Sequence, residues 1–377
     1  MPQAVKAIRG GEVFDGKGFV AGDVNIDGVS IAVAAGEEGQ VIDASGCYVI
    51  PGLVDLHFHG CAGADISDGS LEGLHTMGAY EASRGVTAMC PATMTLSEEI
   101  LTKAAQSAAT YEPAEAESDL VGINMEGPYI SPNKVGAQNP EYVRNADVAE
   151  FRRLQEAAGG LFKLVDLAPE QPGSEEFIKE LSGEVRISLA HNCADYDTAA
   201  RAFQLGARHM THLYNAMNGL HHRKPGPIAA AAERDDVTAE IIADGIHIHP
   251  AMVRLAFNMF GDDRMILISD TLRAVGLEDG TYDLGGQDVT VKGYVATIDD
   301  GSLAGSVSDL MRCLYVAVCD MGIPLASAVK AATCNPARAL GISEKYGSLN
   351  VGSVANVVLL DKQTLDVKQV ILRGKAL

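Results

Sequence analysis

The sequence predicts an α/β protein, namely a (β/α)8 TIM barrel with a small β-sandwich domain formed by both chain termini. Three observations predict this fold. Short apolar runs alternate with longer alanine-rich, helix-like segments between about residues 49 and 270. These apolar runs number eight, which favours a closed barrel over an open sheet. Both ends of the chain carry glycine-bounded, β-branched runs without an amphipathic helix between them.

Each of the eight apolar runs has the length of a buried strand and precedes a candidate helix. The runs are 52–57, 86–91, 120–126, 162–167, 185–191, 207–212, 237–243 and 264–269. We therefore assign residues 51–339 to the barrel and residues 1–50 plus 340–377 to the small β domain. The stretch 281–298 has the pattern of β-hairpins, and it predicts an insertion near 277–300, after the eighth strand, where a pocket wall or lid would lie.

The composition excludes several classes of partner. The 377 residues include 50 acidic and 29 basic side chains, for a formal charge of −21. Nucleic acids and anionic membranes require a basic surface, so neither is expected as a partner. No apolar stretch reaches the length of a membrane span and no leader pattern is visible, which predicts a cytoplasmic protein. The seven cysteines are scattered without a C-x-x-C pair, which argues against a disulfide framework or a thiolate metal site.

Side chains that can bind metal fall at the ends of the predicted strands. His57 and His59 close the first strand, Glu126 the third, His191 the fifth and His212 the sixth, and Asp270 follows the eighth. The carboxyl ends of barrel strands meet at one rim, where the active sites of TIM barrels lie. Each residue alone could be an ordinary half-buried histidine or an ion-pair partner. Their joint placement predicts a metal site, and His57 and His59, at i and i+2 on a strand, would face the same side.

The ligand types restrict the metal and suggest a reaction. Imidazole and carboxylate ligands without thiolate suit Zn, Fe(II), Mn or Co, and the residues alone do not choose among them. A divalent metal lowers the pKa of a coordinated water to about 7, and a nearby carboxylate can accept its proton during attack on an amide. Asp270 is the candidate for this general acid/base. Alternatively, Asp270 caps the following segment or acts as another metal ligand.

Eight short motifs lie along the chain, namely H-F-H-G at 57–60, M-E-G-P-Y at 125–129, A-H-N at 190–192, T-H-L-Y-N-A-M at 211–217, H-H-R-K-P-G at 221–226, A-D-G-I-H at 243–247, S-D at 269–270 and L-A-G-S at 303–306. Together they resemble the motifs of the N-acetylglucosamine-6-phosphate deacetylases, a group of amidohydrolases. The resemblance covers essentially the whole chain. It implies hydrolysis of the acetamide of N-acetyl-D-glucosamine 6-phosphate, which yields D-glucosamine 6-phosphate and acetate.

The resemblance also implies how the metal ligands divide. Glu126, His191 and His212 would hold the principal metal. His57 and His59 would complete a second site, with Glu126 as the bridge between the two. One or two divalent ions per subunit are therefore expected, with Zn or Fe favoured over Mn or Co. Asp270 corresponds to the catalytic acid/base of the family.

The substrate site carries over in the same way. The resemblance assigns sugar-phosphate contacts to Asn215, Ala216, Arg223 and His247, and a place in the wall of the sugar pocket to Leu303. Arg223 would reach the phosphate from a neighbouring subunit, which implies a homodimer. The chain has Gln138 where the family usually has a histidine near the scissile acetamide, and an amide cannot supply the positive charge that a histidine can.

Three alternative functions remain open at this stage. The galactosamine epimer of the substrate would share every motif. A cyclic amidase is disfavoured, because such enzymes bridge their metals with a carboxylated lysine at the fourth strand, and residues 162–169 end without one. A non-catalytic amidohydrolase-like scaffold would have lost metal ligands that this sequence retains.

Overall fold

The computed structural model describes residues 2–377, and the strands of this part of the chain form five sheets. In chain order the strands are β1 (Gln3–Phe14), β2 (Phe19–Asp27), β3 (Ser30–Ala32), β4 (Gln40–Asp43), β5 (Cys47–Pro51), β6 (Leu53–Asp55), β7 (Gly60–Cys61), β8 (Ala64–Asp65), β9 (Val86–Met89), β10 (Ala92–Thr93), β11 (Asp119–Leu120), β12 (Ile123–Glu126), β13 (Phe162–Leu167), β14 (Arg186–Leu189), β15 (His209–Met210), β16 (Thr238–Ile242), β17 (Met265–Ile268), β18 (Gly280–Leu284), β19 (Gln287–Lys292), β20 (Val295–Thr297), β21 (Val357–Asp361), β22 (Val367–Leu372) and β23 (Lys375–Ala376).

Ten α-helices connect or follow these strands. They are α1 (Leu71–Ser83), α2 (Glu98–Ala109), α3 (Val148–Ala157), α4 (Ser174–Leu181), α5 (Tyr196–Leu205), α6 (Gly226–Ala232), α7 (Pro250–Phe260), α8 (Leu310–Cys319), α9 (Leu325–Ala332) and α10 (Cys334–Ala339). Several begin at a side-chain cap, as α5 does where Asp195 accepts a hydrogen bond from the Thr198 N–H at 2.9 Å. Within residues 2–377, no helix combines the length and the apolar character needed to cross a bilayer.

Both ends of the chain share one eight-stranded sheet, ordered β23-β22-β21-β5-β1-β2-β3 with β4 also paired to β1. The first strand closes this sheet, because Gln3 pairs with Ala376 in β23. The small β domain is therefore a curled, barrel-like sheet, and the predicted sandwich of two sheets is wrong in this respect. The cause is β1, whose register shifts between Ile8 and Gly11 so that one long strand serves several neighbours. Gly11 permits this course, since a Cβ there would lie 2.4 Å from the Val49 side chain.

The central strands form a TIM-barrel-like parallel sheet, as the alternating pattern predicted. Seven strands follow the order β10-β12-β13-β14-β15-β16-β17, and β6, β9 and β11 form a parallel sheet beside them. Backbone hydrogen bonds connect the eighth strand segment to the first, from the Asp270 N–H to the His57 carbonyl at 2.9 Å and from the His59 N–H to the Thr271 carbonyl at 2.7 Å. The apolar runs are correctly located, but several strands end earlier than predicted.

The insertion after the eighth strand is an antiparallel sheet of β18, β19 and β20. It contacts the loop that carries Gln138, because Gln287 donates to the Ala137 carbonyl at 2.7 Å and Asn139 donates to the Gly285 carbonyl at 3.3 Å. A cation–π contact also stabilises the turn before β20, because the Arg312 guanidinium lies 3.8 Å from the centre of the Tyr294 ring. The insertion therefore borders the rim on which the predicted site residues lie.

Helix α1 buries a carboxyl group that lacks a hydrogen-bond partner. Both side-chain oxygens of Glu81 are unpaired among the residues the structure describes, and the residue is 1% exposed. Burial raises the pKa of Glu81 well above its usual range, and the nearby carboxyl groups of Asp55 and Asp309 raise it further. The folded protein therefore holds a proton at Glu81 over a pH range in which the unfolded chain releases it.

We expect Glu81→Gln to stabilise the protein at pH 8. The pKa of Glu81 is higher in the folded protein than in the unfolded chain. The resulting loss of stability is therefore absent below the ordinary pKa of a glutamate and grows as the pH rises towards the folded-state pKa. A difference of one between the folded and unfolded pKa values corresponds to about 1.4 kcal/mol, and a gain of roughly 1 kcal/mol or more is expected at pH 8. Thermal unfolding of both proteins at pH 5 and pH 8 measures this gain. An equal gain at both pH values would contradict the protonation argument.

Candidate metal centre and substrate pocket

The six residues predicted to bind metal or protons meet at one end of the barrel sheet, and all are buried. They are His57, His59, Glu126, His191, His212 and Asp270. Glu126 lies at the centre of the group. Its Oε1 lies 3.0 Å from the Nε2 atoms of both His191 and His212, and its Oε2 lies 3.3 Å from His59 Nε2. On the other side, Asp270 Oδ1 lies 3.3 Å from His59 Nε2 and 3.8 Å from His57 Nε2.

The backbone that presents these side chains differs from the prediction. His57 and His59 lie beyond the end of β6 at Asp55, and so they are not alternate residues of one strand. His191, His212 and Asp270 follow their strands with φ angles of 40°, 27° and 52°. Such left-handed backbone ends a strand and costs about 1–3 kcal/mol per non-glycine residue. The strands therefore end early because the ligand-bearing residues turn away from the sheet.

Hydrogen bonds at the inner ring nitrogens orient three of the histidines. The Nδ1–H groups of His57, His59 and His191 donate to Glu240 Oε2, to the Ala92 carbonyl and to the Lys134 carbonyl, each at 2.9 Å. In the neutral form, each of these rings thereby keeps its lone pair on Nε2, which faces the carboxylate oxygens of Glu126 or Asp270. Lone pairs facing lone pairs repel one another unless a cation lies between them, so this donor set fits a divalent metal.

Two sets of ligand atoms are compact enough to hold an ion, with all donor atoms within 4.8 Å of one another. One set is Glu126, His191 and His212, and the other is His57, His59 and Asp270. A third combination joins Asp166 to His57 and Glu126. Glu126 touches both of the first two sets, so the buried cluster is consistent with a binuclear centre.

The electrostatics of the cluster keep its carboxylates ionised. Burial alone would raise the pKa of Asp270, but the hydrogen bond to His59 and the charge of His57 outweigh it and lower that pKa. Burial would also raise the pKa of Glu126, which His57, His191 and His212 hold well below its usual range. Burial would lower the pKa of His59, but in the metal-free cluster Asp270 and Glu126 raise it to about 10, so a proton lies on Nε2 where a bound cation would replace it. Asp270 is therefore a carboxylate that can accept a proton.

A second layer of buried polar residues lies next to the cluster, and the sequence analysis missed it. Glu240 on β16 contacts His57, His209 and the backbone of His212. Asp166 on β13 has no hydrogen-bond partner within residues 2–377, and burial together with the charge of Glu240 raises its pKa well above the usual range. The available signal was one acidic residue within each of the apolar runs 162–167 and 237–243.

A cavity of about 340 Å³ opens onto the cluster. Its wall includes five of the six residues predicted to bind substrate, namely Gln138, Asn215, Ala216, His247 and Leu303. His247 is fixed by Asp244, which accepts from its Nδ1–H at 2.8 Å. No lysine or arginine is among the residues of the described chain that line this cavity.

Gln138 makes contacts that the sequence did not predict. Its amide N–H donates to Glu126 Oε2 at 2.5 Å, and its amide oxygen accepts from the Thr95 N–H at 2.6 Å. The side chain is only 3% exposed. Gln138 therefore lies at the predicted pocket, but its amide is bonded to the central carboxylate of the cluster.

Arg223 is the predicted substrate residue that the fold does not bring to this pocket. It is exposed and lines a different cavity of about 1110 Å³, together with His221 and Lys224. Its guanidinium lies 2.7 Å from the ring of His222. Within one chain, the predicted phosphate-binding arginine and the metal cluster are therefore separate.

Comparison with known proteins gives consistent matches. The model of the amidohydrolase family matches residues 48–377. N-acetylglucosamine-6-phosphate deacetylase of Bacillus subtilis strain 168 is 39% identical over 341 residues, covering 86% of this chain and 83% of the relative. N-acetylgalactosamine-6-phosphate deacetylase of Escherichia coli O157:H7 is 35% identical over 330 residues, 86% of each chain. A mutant of N-acetyl-D-glucosamine-6-phosphate deacetylase from Mycobacterium smegmatis, solved with N-acetyl-D-glucosamine 6-phosphate, superposes with a TM-score of 0.92 at 31% identity, covering 100% of this chain and 99% of that one.

Proposed function

The chain belongs to the amidohydrolase family and, within it, to the N-acetylglucosamine-6-phosphate deacetylases, and we propose on this basis what its site does. The protein hydrolyses the acetamide of N-acetyl-D-glucosamine 6-phosphate to D-glucosamine 6-phosphate and acetate. The observation that carries this proposal is the buried cluster of four histidines and two carboxylates, which opens onto a cavity of sugar size. The likeness to relatives that act on this substrate supports the same reaction.

The ligand set fits one or two divalent ions, and we assign Zn or Fe, with Mn or Co as alternatives. Glu126, His191 and His212 form one compact set and would hold the first ion. His57 and His59 would hold the second with Glu126 between them, since the Glu126 carboxylate lies 3.6 Å from His57 Nε2 and 3.3 Å from His59 Nε2. A bound divalent ion supplies Lewis-acid chemistry, since it polarises an amide carbonyl and makes water more acidic. The side chains of the protein carry out the proton transfers and bind and orient the substrate.

Asp270 acts as general base and then as general acid. Its carboxylate accepts a proton from the water whose oxygen forms the new bond to the acetyl carbon. The same carboxyl group gives that proton to the sugar nitrogen as the C–N bond breaks, so glucosamine 6-phosphate leaves as the amine and the acetyl group leaves as acetic acid. The acid ionises to acetate, and the amine takes up the proton. His247, held at Nδ1 by Asp244, keeps Nε2 free for the sugar phosphate, and Asn215 and Ala216 line the same pocket. Gln138 contacts Glu126 and borders the position of the acetamide.

We assign phosphate binding to Arg223 of a second subunit in a homodimer. The metal-side cavity is lined by no cationic lysine or arginine among residues 2–377, whereas Arg223 is exposed on the same chain in another cavity. A cation strongly favours the binding of a phosphate dianion, and the planar guanidinium suits its oxygens. An exchange of arginines between subunits would supply that cation.

We expect Arg223→Ala to raise KM for the phosphorylated sugar about 10- to 100-fold, with a smaller change in kcat, because one charged hydrogen-bonding partner of the phosphate is removed. Steady-state kinetics of acetate release measure both constants. Arg152→Ala, which removes an exposed arginine paired with Glu180 and Glu184, is the control. An unchanged KM in Arg223→Ala would place the phosphate elsewhere.

The function itself is tested by acetate release from N-acetylglucosamine 6-phosphate on protein of known metal content. The galactosamine epimer and the unphosphorylated sugar are measured alongside. The epimer is the second candidate substrate, because a relative named for it is 35% identical. Metal-dependent turnover of only the phosphorylated sugars supports the proposal and identifies the epimer. Fully metallated protein without turnover on either phosphorylated sugar would reject it in favour of a scaffold or another amide substrate.

We also propose that the chain divides into a closed (β/α)8 barrel, residues 51–339, with its hairpin insertion near 277–300, and a small β domain, residues 1–50 and 340–377. A separate buried cluster of the small sheet, including Val5, Ile26 and Ile371, supports this division. Phe14 and Val358 belong instead to the large core and mark the contact between the two parts. The backbone bonds between His57 and Asp270 support closure of the barrel.

A further inference from the structure

Glu240 is a fully buried carboxylate in contact with three hydrogen-bond donors around the metal cluster. Its Oε2 accepts from His57 Nδ1–H at 2.9 Å and from the backbone N–H of His212 at 3.1 Å. Its Oε1 accepts from His209 Nε2–H at 2.9 Å. Both carboxylate oxygens are thus held, and Glu240 cannot rotate without losing a buried hydrogen bond.

The contact with His57 determines which ring nitrogen is free. A neutral imidazole carries one proton, and an acceptor at Nδ1 keeps the proton there. His57 Nε2 then retains its lone pair, and it has no hydrogen-bond partner within residues 2–377. It faces Glu126 Oε1 at 3.6 Å and Asp270 Oδ1 at 3.8 Å, where the second ligand set lies. Without the acceptor, the proton could move to Nε2 and remove the ligating lone pair.

His209 supports this arrangement from the far side. It is fully buried, and its Nδ1 contacts the Thr238 hydroxyl while its Nε2–H donates to Glu240. The hydrogen bonds therefore run from Thr238 through His209 and Glu240 to His57. None of these three residues lines the substrate cavity, so any effect of their hydrogen bonds on the reaction would act through His57.

We propose that Glu240 is a positioning residue that holds His57 in its metal-binding tautomer and thereby sets the affinity of the ligand set formed by His57, His59 and Asp270. The inference rests on the proposed function only in that the cluster binds metal. Glu240 contacts the other ligand set only at the backbone N–H of His212, and not at the His212 ring. Loss of Glu240 should therefore weaken the His57 set more than the set of Glu126, His191 and His212.

The test compares Glu240→Leu with Glu240→Gln. Leucine keeps the volume but removes the acceptor, and it should weaken Zn²⁺ binding at the His57 set about 10- to 100-fold, as is typical for partners of ligating histidines. Glutamine can turn its amide oxygen to His57 and its NH₂ group to His209, whose ring can pass its own proton to the Thr238 side. It should restore binding to near the wild-type level.

The measurement is Zn²⁺ titration of metal-free protein against a chromophoric chelator, which gives each affinity without reference to acetate release. Glu81→Leu is the matched control, because it replaces a buried carboxyl group outside the metal sets and should leave both affinities unchanged. The effect of Glu240→Leu should also disappear in a His57→Asn background. The inference would be overturned if Glu240→Leu bound Zn²⁺ with wild-type affinity. It would also be overturned if Glu240→Leu lowered the Zn²⁺ affinity equally in the His57→Asn background. An equal loss in Glu240→Gln would overturn it too.

If Glu240→Leu does not fold, ¹⁵N shifts of the histidines in Zn²⁺-loaded wild-type protein decide the question. The inference expects His57 to carry its proton on Nδ1 and the metal on Nε2. The reverse arrangement would refute it. If the wild-type protein binds no Zn²⁺, both the inference and the proposed function are refuted. If the wild-type protein binds Zn²⁺ and releases acetate, and Glu240→Leu binds Zn²⁺ equally well, only the inference is refuted.

Discussion

Asp270→Asn should reduce kcat about 100- to 10,000-fold, the usual contribution of a positioned general acid or base. Asparagine has nearly the same shape, but it cannot take a proton from water or return one to the leaving amine. The pKa of Asp270 is lowered, so the wild-type group is available as a base throughout the neutral range. KM should change much less, because substrate positioning depends on other residues. Single-turnover and steady-state assays measure the loss.

Metal content separates the two possible functions of Asp270. The set of Glu126, His191 and His212 does not include Asp270, so Asp270→Asn should retain at least the ion held there. A variant that keeps its metal and loses turnover supports the acid/base assignment. A loss of activity that parallels the loss of one metal equivalent, and that excess Zn²⁺ restores, would mean that Asp270 serves only as a ligand.

Glu126→Gln should abolish both metal binding and turnover. The Glu126 carboxylate faces the Nε2 atoms of His191 and His212 through one oxygen and that of His59 through the other. The amide removes the charge shared by both ligand sets, and its NH₂ group must face at least one of these nitrogens. The affinity for Zn²⁺ should fall by more than the roughly 100-fold that loss of an outer partner can cause.

Chelator competition and metal analysis after dialysis measure this effect. Glu81→Gln provides the control, since it makes the same chemical change in a buried carboxyl group outside the metal sets. Thermal unfolding of the metal-free proteins checks that the Glu126 variant folds. Normal metal content in a folded Glu126→Gln would exclude the central position that we give to this carboxylate.

The sequence predicted the barrel and the metal cluster because both depend on short-range patterns. Apolar runs of strand length recur between helices, and polar residues at their carboxyl ends must meet when the strands run parallel. His191 and His212 were found in this way although neither lies within a strand. Both side chains reach the buried cluster because a turn at the strand end still projects the side chain to the same rim.

The features that the sequence did not reveal depend on contacts between distant residues. Closure of the small sheet requires Gln3 to meet Ala376, and no local pattern distinguishes that pairing from a two-layer sandwich. Glu240 lies within an apolar run, and its significance appears only when His57, far away in the chain, is seen beside it. Gln138 lines the cavity next to the cluster, but its bond to Glu126 depends on how its loop folds back.

The shared sheet of the two chain ends also constrains the order in which the protein assembles. β1 and β5 leave the ribosome before any barrel strand, yet β5 pairs with β21 and β1 pairs with β23. Joining strands so far apart in an unfolded chain costs about 3 kcal/mol more than joining the arms of a ten-residue hairpin. A barrel that has already folded brings the ends close together and removes most of that entropic cost. During synthesis, the edges of β1 and β5 that pair with the C-terminal strands are therefore expected to remain unpaired until the intervening barrel has folded.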